Sequence, residues 1–312
     1  MRIIVRAAAV GAALLGAAGL ALGGASPASA AGITYPVNYS FASGFVAGFL
    51  EPNTPPAGAN DWSCKPSAAH PYPVVLVHGT FENENDDWGA ASPLLADNGY
   101  CVFAFDYGGA TAASAIQGTG EIAASAAQLE TFVHQVLAAT GASKVDLVGH
   151  SQGGMMPRYY IKNLGGASTV NTLVALAPSN NGTTLDGITE LGDALGILEP
   201  ANDFLSLSCE ACVEQEAGSP FLTALNSGAE TLPGVNYTVI ETKYDEVVTP
   251  YTNAFLPAAS NVTNILLQNQ CGLDASDHLE IAYDPIAMVD MLNALDPAHP
   301  QPVPCEVVLP VA

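Results

Sequence analysis

Basic side chains are scarce in this sequence. Its 312 residues include 7 Lys and Arg against 30 Asp and Glu, which gives a formal net charge of −23. A surface this acidic repels nucleic acid and anionic lipid headgroups, so we expect neither as a partner. Metal-binding patterns are missing too, because the sequence has no second CxxC, no His-x-x-x-His and no acidic loop of EF-hand spacing. The motifs therefore predict no catalytic metal site, and the many acids leave a structural calcium ion as an open alternative.

Long apolar runs are limited to the first part of the chain. Arg2 and Arg6 precede an apolar run over residues 7–22, and Ala28-Ser29-Ala30 resembles a small-residue cleavage site. This pattern predicts a secretory signal peptide over residues 1–30, cleaved after Ala30. No later run is long enough to span a bilayer, so we expect a secreted, extracellular mature chain without an integral membrane segment.

Cysteine is used six times, which in an exported chain predicts three disulfides. Fifteen pairings are possible in principle. We expect Cys64–Cys101 near the first strands of the sheet and Cys271–Cys305 at the tail. The remaining pair, Cys209 and Cys212, has no partner CxxC, which favours a small structural disulfide over a redox or zinc site.

Strands and helices alternate after an irregular, Pro- and Gly-rich segment at residues 31–73. This alternation predicts an α/β fold with a mainly parallel sheet and helices on both faces. No linker or repeat divides residues 31–312, so we expect one domain there. The predicted strands are 73–78, 100–105, 145–148, 172–176, 237–241 and 265–267, and the predicted helices are 92–99, 121–140, 152–163 and 285–295.

Gly149-His150-Ser151-Gln152-Gly153 matches G-x-S-x-G between an apolar strand and a helix. That context predicts a nucleophile elbow, a strained turn in which glycines remove side chains that would collide. Ser151 would stand at a helix N-terminus, whose partial positive charge favours a developing oxyanion. We therefore predict that Ser151 is a nucleophile.

A serine needs a base, and the base needs a carboxylate. Of six histidines, His278 lies in a polar loop before the last helix and fits the order serine, acid, histidine, with His299 as the second choice. His150 adjoins the serine and should point away from its hydroxyl. Asp245, just past a predicted strand, is the expected acid. Its neighbour Glu246 should point elsewhere, and Asp277 lacks the reach to the base.

The oxyanion needs hydrogen-bond donors. The backbone N–H of Gln152, directly after the nucleophile, is one expected donor. The second is the N–H of Thr80, in the loop after the first buried strand. The Thr80 hydroxyl could add a third bond.

The segments VVLVHGTFEN, GHSQGG, TLVALAPSNNGTT, YTVIETKYDEVVTPY and DHLEIAYDP together resemble the secreted class 2 triacylglycerol lipases of the α/β-hydrolase superfamily. The resemblance covers residues 72–295. It implies the α/β-hydrolase fold, a triad of Ser151, Asp245 and His278, and oxyanion donors at Thr80 and Gln152. It also implies no organic cofactor.

Residues 177–228 form a longer excursion than a simple connection requires. Their apolar positions recur at helical spacing, which fits either a helix packed on the core or a cap over an acyl site. No cationic cluster is present there to hold a phosphate or carboxylate. We expect an apolar ester or lipid as substrate, met at an oil–water interface. The apolar positions are Leu185, Ile188, Leu191, Ala194, Leu195, Leu198, Phe204, Leu205, Phe221 and Leu222.

Other functions use the same residues. A secreted acyltransferase would pass the acyl group to an alcohol, and a polyester-degrading, cutinase-like enzyme would need an open site. A non-catalytic binding protein of the same fold usually lacks a triad member, whereas this sequence offers all three. The motifs therefore favour an ester hydrolase.

Overall fold

A single parallel sheet organises the chain in the computed structural model, which describes residues 34–111, 113–184, 187 and 209–311. The sheet has six strands in the order β2-β1-β3-β4-β5-β6, and every neighbouring pair runs parallel. The parallel α/β architecture predicted from the alternation of elements is confirmed. The strands are β1 (Val74–Val77), β2 (Val102–Ala104), β3 (Val145–His150), β4 (Val170–Leu176), β5 (Asn236–Glu241) and β6 (Val262–Leu266).

Three strands, including the edge strand β2, are buried along their whole length. Every residue of β1, β2 and β3 is buried, as continuous apolar runs predict for strands covered on both faces. β6 differs, because its residues are exposed or half-buried at the edge of the sheet.

Helices follow most of the strands. α3 (Ile122–Thr140) is followed by Gly141, whose φ of 78° provides a left-handed C-cap. α8 begins after Asp284, whose side chain accepts the Ile286 N–H as an N-cap. The α-helices of the described residues are α1 (Phe41–Leu50), α2 (Ala91–Asp97), α3 (Ile122–Thr140), α4 (Gln152–Asn163), α5 (Glu210–Glu214), α6 (Pro220–Leu225), α7 (Leu267–Gln270) and α8 (Pro285–Leu295).

Two expectations about local structure are wrong. The segment predicted to be irregular contains α1, where a Cβ on Gly44 would overlap the ring of Tyr283 and one on Gly48 would overlap the backbone of Asp86. These glycines allow close packing, which offsets their weak helix propensity. The last strand was predicted at 265–267, but β6 ends at Leu266 and a helical turn follows. A search for apolar runs starts this strand too late, because β6 contains the polar residues Thr263 and Asn264.

The strand order places a crevice at the carboxyl ends of β1 and β3. From β1 the chain goes to β2 on one side and then to β3 on the other, which makes this a topological switch point. Thr80 lies just past β1 and Ser151 directly after β3. Asp245 follows β5 at the same edge of the sheet.

The structure contains the three expected disulfides: Cys64–Cys101, Cys209–Cys212 and Cys271–Cys305. Among the described helices, none is both long enough and apolar enough to cross a membrane.

Candidate active site

Ser151 occupies a strained turn between β3 and α4. Its φ of 54° and ψ of −122° lie in a region that non-glycine residues rarely adopt. A Cβ on Gly149 would overlap the Gly153 carbonyl, and one on Gly153 would overlap the Val77 carbonyl. The flanking glycines are therefore needed for strand, turn and helix to approach each other, as the motif predicts.

Ser151, His278 and Asp245 form one hydrogen-bonded line. Nε2 of His278 lies 3.0 Å from Oγ of Ser151, and Nδ1 lies 2.8 Å from Oδ2 of Asp245. A carboxylate only accepts, so Nδ1 carries the ring proton and Nε2 is free to accept from the serine. All three side chains are buried. The structure thus brings together the three residues that the sequence singled out.

Asp245 is held in a fixed orientation. Its Oδ1 accepts the backbone N–H groups of Val247 and Val248 at 2.8 and 2.7 Å, which leaves Oδ2 facing the histidine. Glu241 is buried beside it, and its Oε1 accepts the Thr242 N–H at 2.8 Å. Burial, with the charge of Asp245, raises the pKa of Glu241 well above its ordinary value.

The other neighbouring acids contact the backbone. Glu246 Oε2 accepts the His278 N–H at 3.3 Å, away from the ring. Asp277 accepts the N–H groups of Glu280 and Val311. The distant alternative base, His299, is exposed and pairs with Asp296. These positions agree with the preference for Asp245 and His278.

Thr80 and Gln152 meet beside the serine. Within the described part of the chain, their backbone N–H groups donate to no protein acceptor. The Thr80 hydroxyl oxygen accepts Nε2 of Gln152 at 2.7 Å and Nε2 of Gln215 at 2.9 Å. Because both lone pairs are occupied, the hydroxyl proton is left to donate to a third group. This geometry suits an oxyanion site.

The cavity at this point is small. About 10 Å³ of free space adjoins Ser151, roughly the room that one water molecule needs. The described lining contains no Lys or Arg, and Val247 and Val248 supply its apolar part. The other described lining residues are Thr80, Ser151, Ser179, Thr183 and Gln215.

A model of the family described as Lipase (class 2) matches residues 71–287, most of the chain. The chain belongs to the class 2 lipase family. The triacylglycerol lipase of Pseudarthrobacter phenanthrenivorans is 43% identical over 97 residues, which cover 30% of this chain and 28% of that protein. The triacylglycerol lipase of Burkholderia plantarii is 43% identical over 97 residues, which cover 30% of this chain and 25% of that protein. The matches thus span little more than a quarter of these relatives.

Solved structures share the fold of this chain. Aspergillus fumigatus lipase B aligns with a TM-score of 0.55 and 18% identity, covering 80% of this chain and 56% of that one. The mature form of Bacillus licheniformis lipase BlEst2 aligns with a TM-score of 0.52 and 18% identity, and the alignment covers 74% of this chain and 94% of that one. At this identity the likeness shows the α/β-hydrolase fold alone.

The predicted cap is described only in part. The structure includes α6, where Leu222 is buried and Phe221 stacks on Tyr159 at 5.7 Å between ring centroids. The cap therefore stays a prediction. Its other apolar positions, Leu185, Ile188, Leu191, Ala194, Leu195, Leu198, Phe204 and Leu205, lie outside the described residues.

Sequence reasoning missed two groups of side chains at the site. Gln215 reaches the Thr80 hydroxyl from just after α5, and its Oε1 accepts the Ser179 hydroxyl at 2.8 Å. His150 does point away from the serine, as expected, but into a buried pair of carboxylates, Glu82 and Asp87. No motif marks these partners. The only available signal was the run of acids after Thr80 in the sequence.

Proposed function

We propose that this member of the class 2 lipase family is a secreted serine hydrolase of carboxylic esters that acts on triacylglycerols and similar apolar esters. One observation carries the proposal. Ser151 stands on a strained turn within 3.0 Å of a histidine whose other nitrogen is held by a fixed carboxylate. This is the arrangement that activates a serine for acyl transfer.

The proposed reaction begins with proton transfer from Ser151 to Nε2 of His278. Oγ attacks the ester carbonyl carbon, and the resulting oxyanion accepts bonds from the N–H groups of Thr80 and Gln152 and from the Thr80 hydroxyl. His278 then returns the proton to the leaving alcohol. Water attacks the acyl-enzyme, with His278 again as the base, and the carboxylic acid leaves. Preorganised donors of this kind are typically the largest single contribution to such catalysis.

Two features support the proposed substrate and location. The described cavity lining has an apolar part and no basic residue, which suits an alkyl chain rather than a phosphate or carboxylate. Three disulfides fit an oxidising compartment. A signal peptide cleaved after Ala30, followed by one catalytic domain over residues 31–312, would deliver the chain there.

The test is hydrolysis of p-nitrophenyl esters across acyl lengths by the wild type and by Ser151→Ala. We expect activity in the wild type and none in the variant, with release of free acid rather than transfer to added alcohol. A maximum at long chains would mark a lipase, and one at short chains an esterase. Equal activity in both proteins, or none in the wild type, would contradict the proposal.

A further inference from the structure

His150 is fully buried and binds the backbone of the proposed base. Its Nε2 lies 2.8 Å from the carbonyl oxygen of His278. A carbonyl only accepts, so Nε2 of His150 carries a proton. The residue before the nucleophile is thereby joined to the loop that holds the base.

The other ring nitrogen of His150 faces two carboxylates. Nδ1 lies 3.0 Å from Oδ1 of Asp87 and 3.1 Å from Oε2 of Glu82, and both acids are buried. Burial lowers the pKa of His150, but the charges of Asp87 and Glu82 and their hydrogen bonds together raise it well above the ordinary value. A carboxylate only accepts, so Nδ1 carries a proton as Nε2 does, and the ring with both nitrogens protonated is a cation. We call Glu82, Asp87 and His150 the His150 cluster.

The same two acids hold the oxyanion loop. The Gly79 N–H donates to Oε2 of Glu82 at 3.1 Å and to Oδ2 of Asp87 at 3.0 Å. Gly79 directly precedes Thr80, and a Cβ at this position would overlap the Glu82 carboxylate. The cluster thus connects three separate segments: the loop of the oxyanion donors, the nucleophile turn and the loop of the base.

A proton explains the centre of this cluster better than a metal ion does. The ligand atoms lie within 4.8 Å of one another, close enough to bind a cation. However, the separations from Nδ1 are those of N–H···O hydrogen bonds. Oε2 of Glu82 also already accepts the Gly79 N–H. A tetrahedral site would need a fourth ligand, and among the described residues no fourth His, Cys, Asp or Glu joins the three.

We propose that His150 is a positioning residue that, held by Asp87 and Glu82, fixes the His278 loop and the Thr80 loop relative to Ser151. Its role in catalysis rests on the proposed function. The positioning of the two loops by the His150 ring is independent of that function, because it depends only on which atoms the ring contacts.

The two acids use their oxygens differently, which provides a matched pair of variants. Asp87 faces a donor with each oxygen: Oδ2 accepts the Gly79 N–H, and Oδ1 lies 3.0 Å from Nδ1 of His150 in an ion pair without hydrogen-bond geometry. Glu82 uses Oε2 for both partners, and its Oε1 has no partner among the described residues. An amide has one acceptor oxygen. Asp87→Asn must therefore turn its NH2 towards one of these two donors and lose that contact, whereas Glu82→Gln can keep both hydrogen bonds.

The first measurement is steady-state hydrolysis by the two variants, with Asp290→Asn as the control. Asp290 is a buried carboxylate on α8 that accepts Gln270 and has no bond to the triad. We expect Asp87→Asn to lower kcat by about tenfold to a hundredfold with KM little changed, because base and oxyanion donors act mainly in the transition state. Glu82→Gln should lose at most about threefold of kcat. Equal losses of kcat in these two variants, or a change in KM with kcat unchanged, would overturn the proposal.

The second measurement needs no catalytic activity. Nitrogen-15 NMR of the histidine rings should show both nitrogens of His150 protonated from about pH 5 to pH 9 in the folded wild type. Asp87→Asn should shift the ring signals of His278, and Asp290→Asn should not. A neutral His150, or equal shifts in both variants, would overturn the proposal even if the enzyme hydrolyses esters. If the wild type gives the expected spectra but does not hydrolyse esters, the proposed function is refuted and the positioning role of His150 is not.

Metal analysis of the purified wild type provides a further check. We expect no stoichiometric metal ion. One equivalent of bound metal that Asp87→Asn removes, with loss of activity on chelation, would identify the cluster as a metal site and overturn the proposal.

Discussion

Two buried histidines lie side by side in this structure, with ring centroids 5.1 Å apart. Each directs Nδ1 at a carboxylate, His278 at Asp245 and His150 at Asp87. They differ at Nε2. His278 faces the Ser151 hydroxyl at 3.0 Å, and His150 faces a backbone carbonyl at 2.8 Å.

That difference in partner determines what each ring can do. A hydroxyl can donate, so Nε2 of His278 can be unprotonated and accept the serine proton. A carbonyl can only accept, so Nε2 of His150 must keep its proton. The same residue beside the same kind of acid is therefore a proposed base in one place and a fixed cation in the other. A histidine–carboxylate pair does not by itself identify a catalytic base.

The largest expected effect compares the two aspartates. In Asp245→Asn, the amide oxygen should stay on the N–H groups of Val247 and Val248, which turns the NH2 towards Nδ1 of His278. Nδ1 must then be unprotonated and Nε2 protonated, so the ring cannot accept from Ser151. We expect kcat to fall by about 10⁴-fold, far more than in Asp87→Asn. Steady-state kinetics on one ester measures both.

Circular dichroism and thermal unfolding of both variants are the controls for this comparison. Similar losses of kcat in two folded proteins would mean that the two histidine sites are not functionally distinct.

The sequence predicts the triad better than the His150 cluster for a physical reason. The nucleophile turn, the strand ends and the chain order of serine, acid and base are constraints that leave a local pattern. The direction of the His150 ring depends on Glu82, 68 residues earlier, and on how two loops meet at the sheet edge. No local spacing encodes that contact.

The same limit applies to parts of the fold. Apolar runs correctly predict β1 and β3 because these strands are buried on both faces. They do not predict α1, whose glycines are poor helix formers that fit only against Tyr283 and Asp86 from later in the chain. Tertiary packing overrides local propensity there.

A smaller effect is expected at Thr80, in the loop that the His150 cluster holds. Thr80→Val removes a hydroxyl whose oxygen accepts hydrogen bonds from Gln152 and Gln215. The proton of that hydroxyl remains available to donate to the oxyanion. We expect kcat to fall by about tenfold to a hundredfold with KM little changed, because the bond forms with the oxyanion. Thr80→Ser keeps the hydroxyl and should recover most of the rate. An unchanged kcat in Thr80→Val would exclude the hydroxyl as a donor.

The smallest effect concerns an acid beside each histidine, Glu82 at His150 and Glu246 at the backbone of His278. Burial raises the pKa of Glu82 to about 7, with Asp87 adding to the shift, and burial also raises that of Glu246 to about 7. The folded protein therefore binds protons that the unfolded chain, with ordinary glutamates, has already released. This contribution to stability is complete below about pH 4.5 and is lost as the pH rises through about 7.

The melting temperature should consequently be several degrees higher at about pH 5 than at about pH 8. Glu82→Gln and Glu246→Gln should each reduce that difference by roughly a few degrees, since an amide does not titrate. Scanning calorimetry at both pH values measures the effect, with the exposed Glu306→Gln as the control. If only Glu82→Gln reduces the difference, proton-linked stability belongs to the fixed cation and its acids. Equal reductions would show that both histidine sites contribute to it, and no reduction in either variant would contradict the raised pKa values.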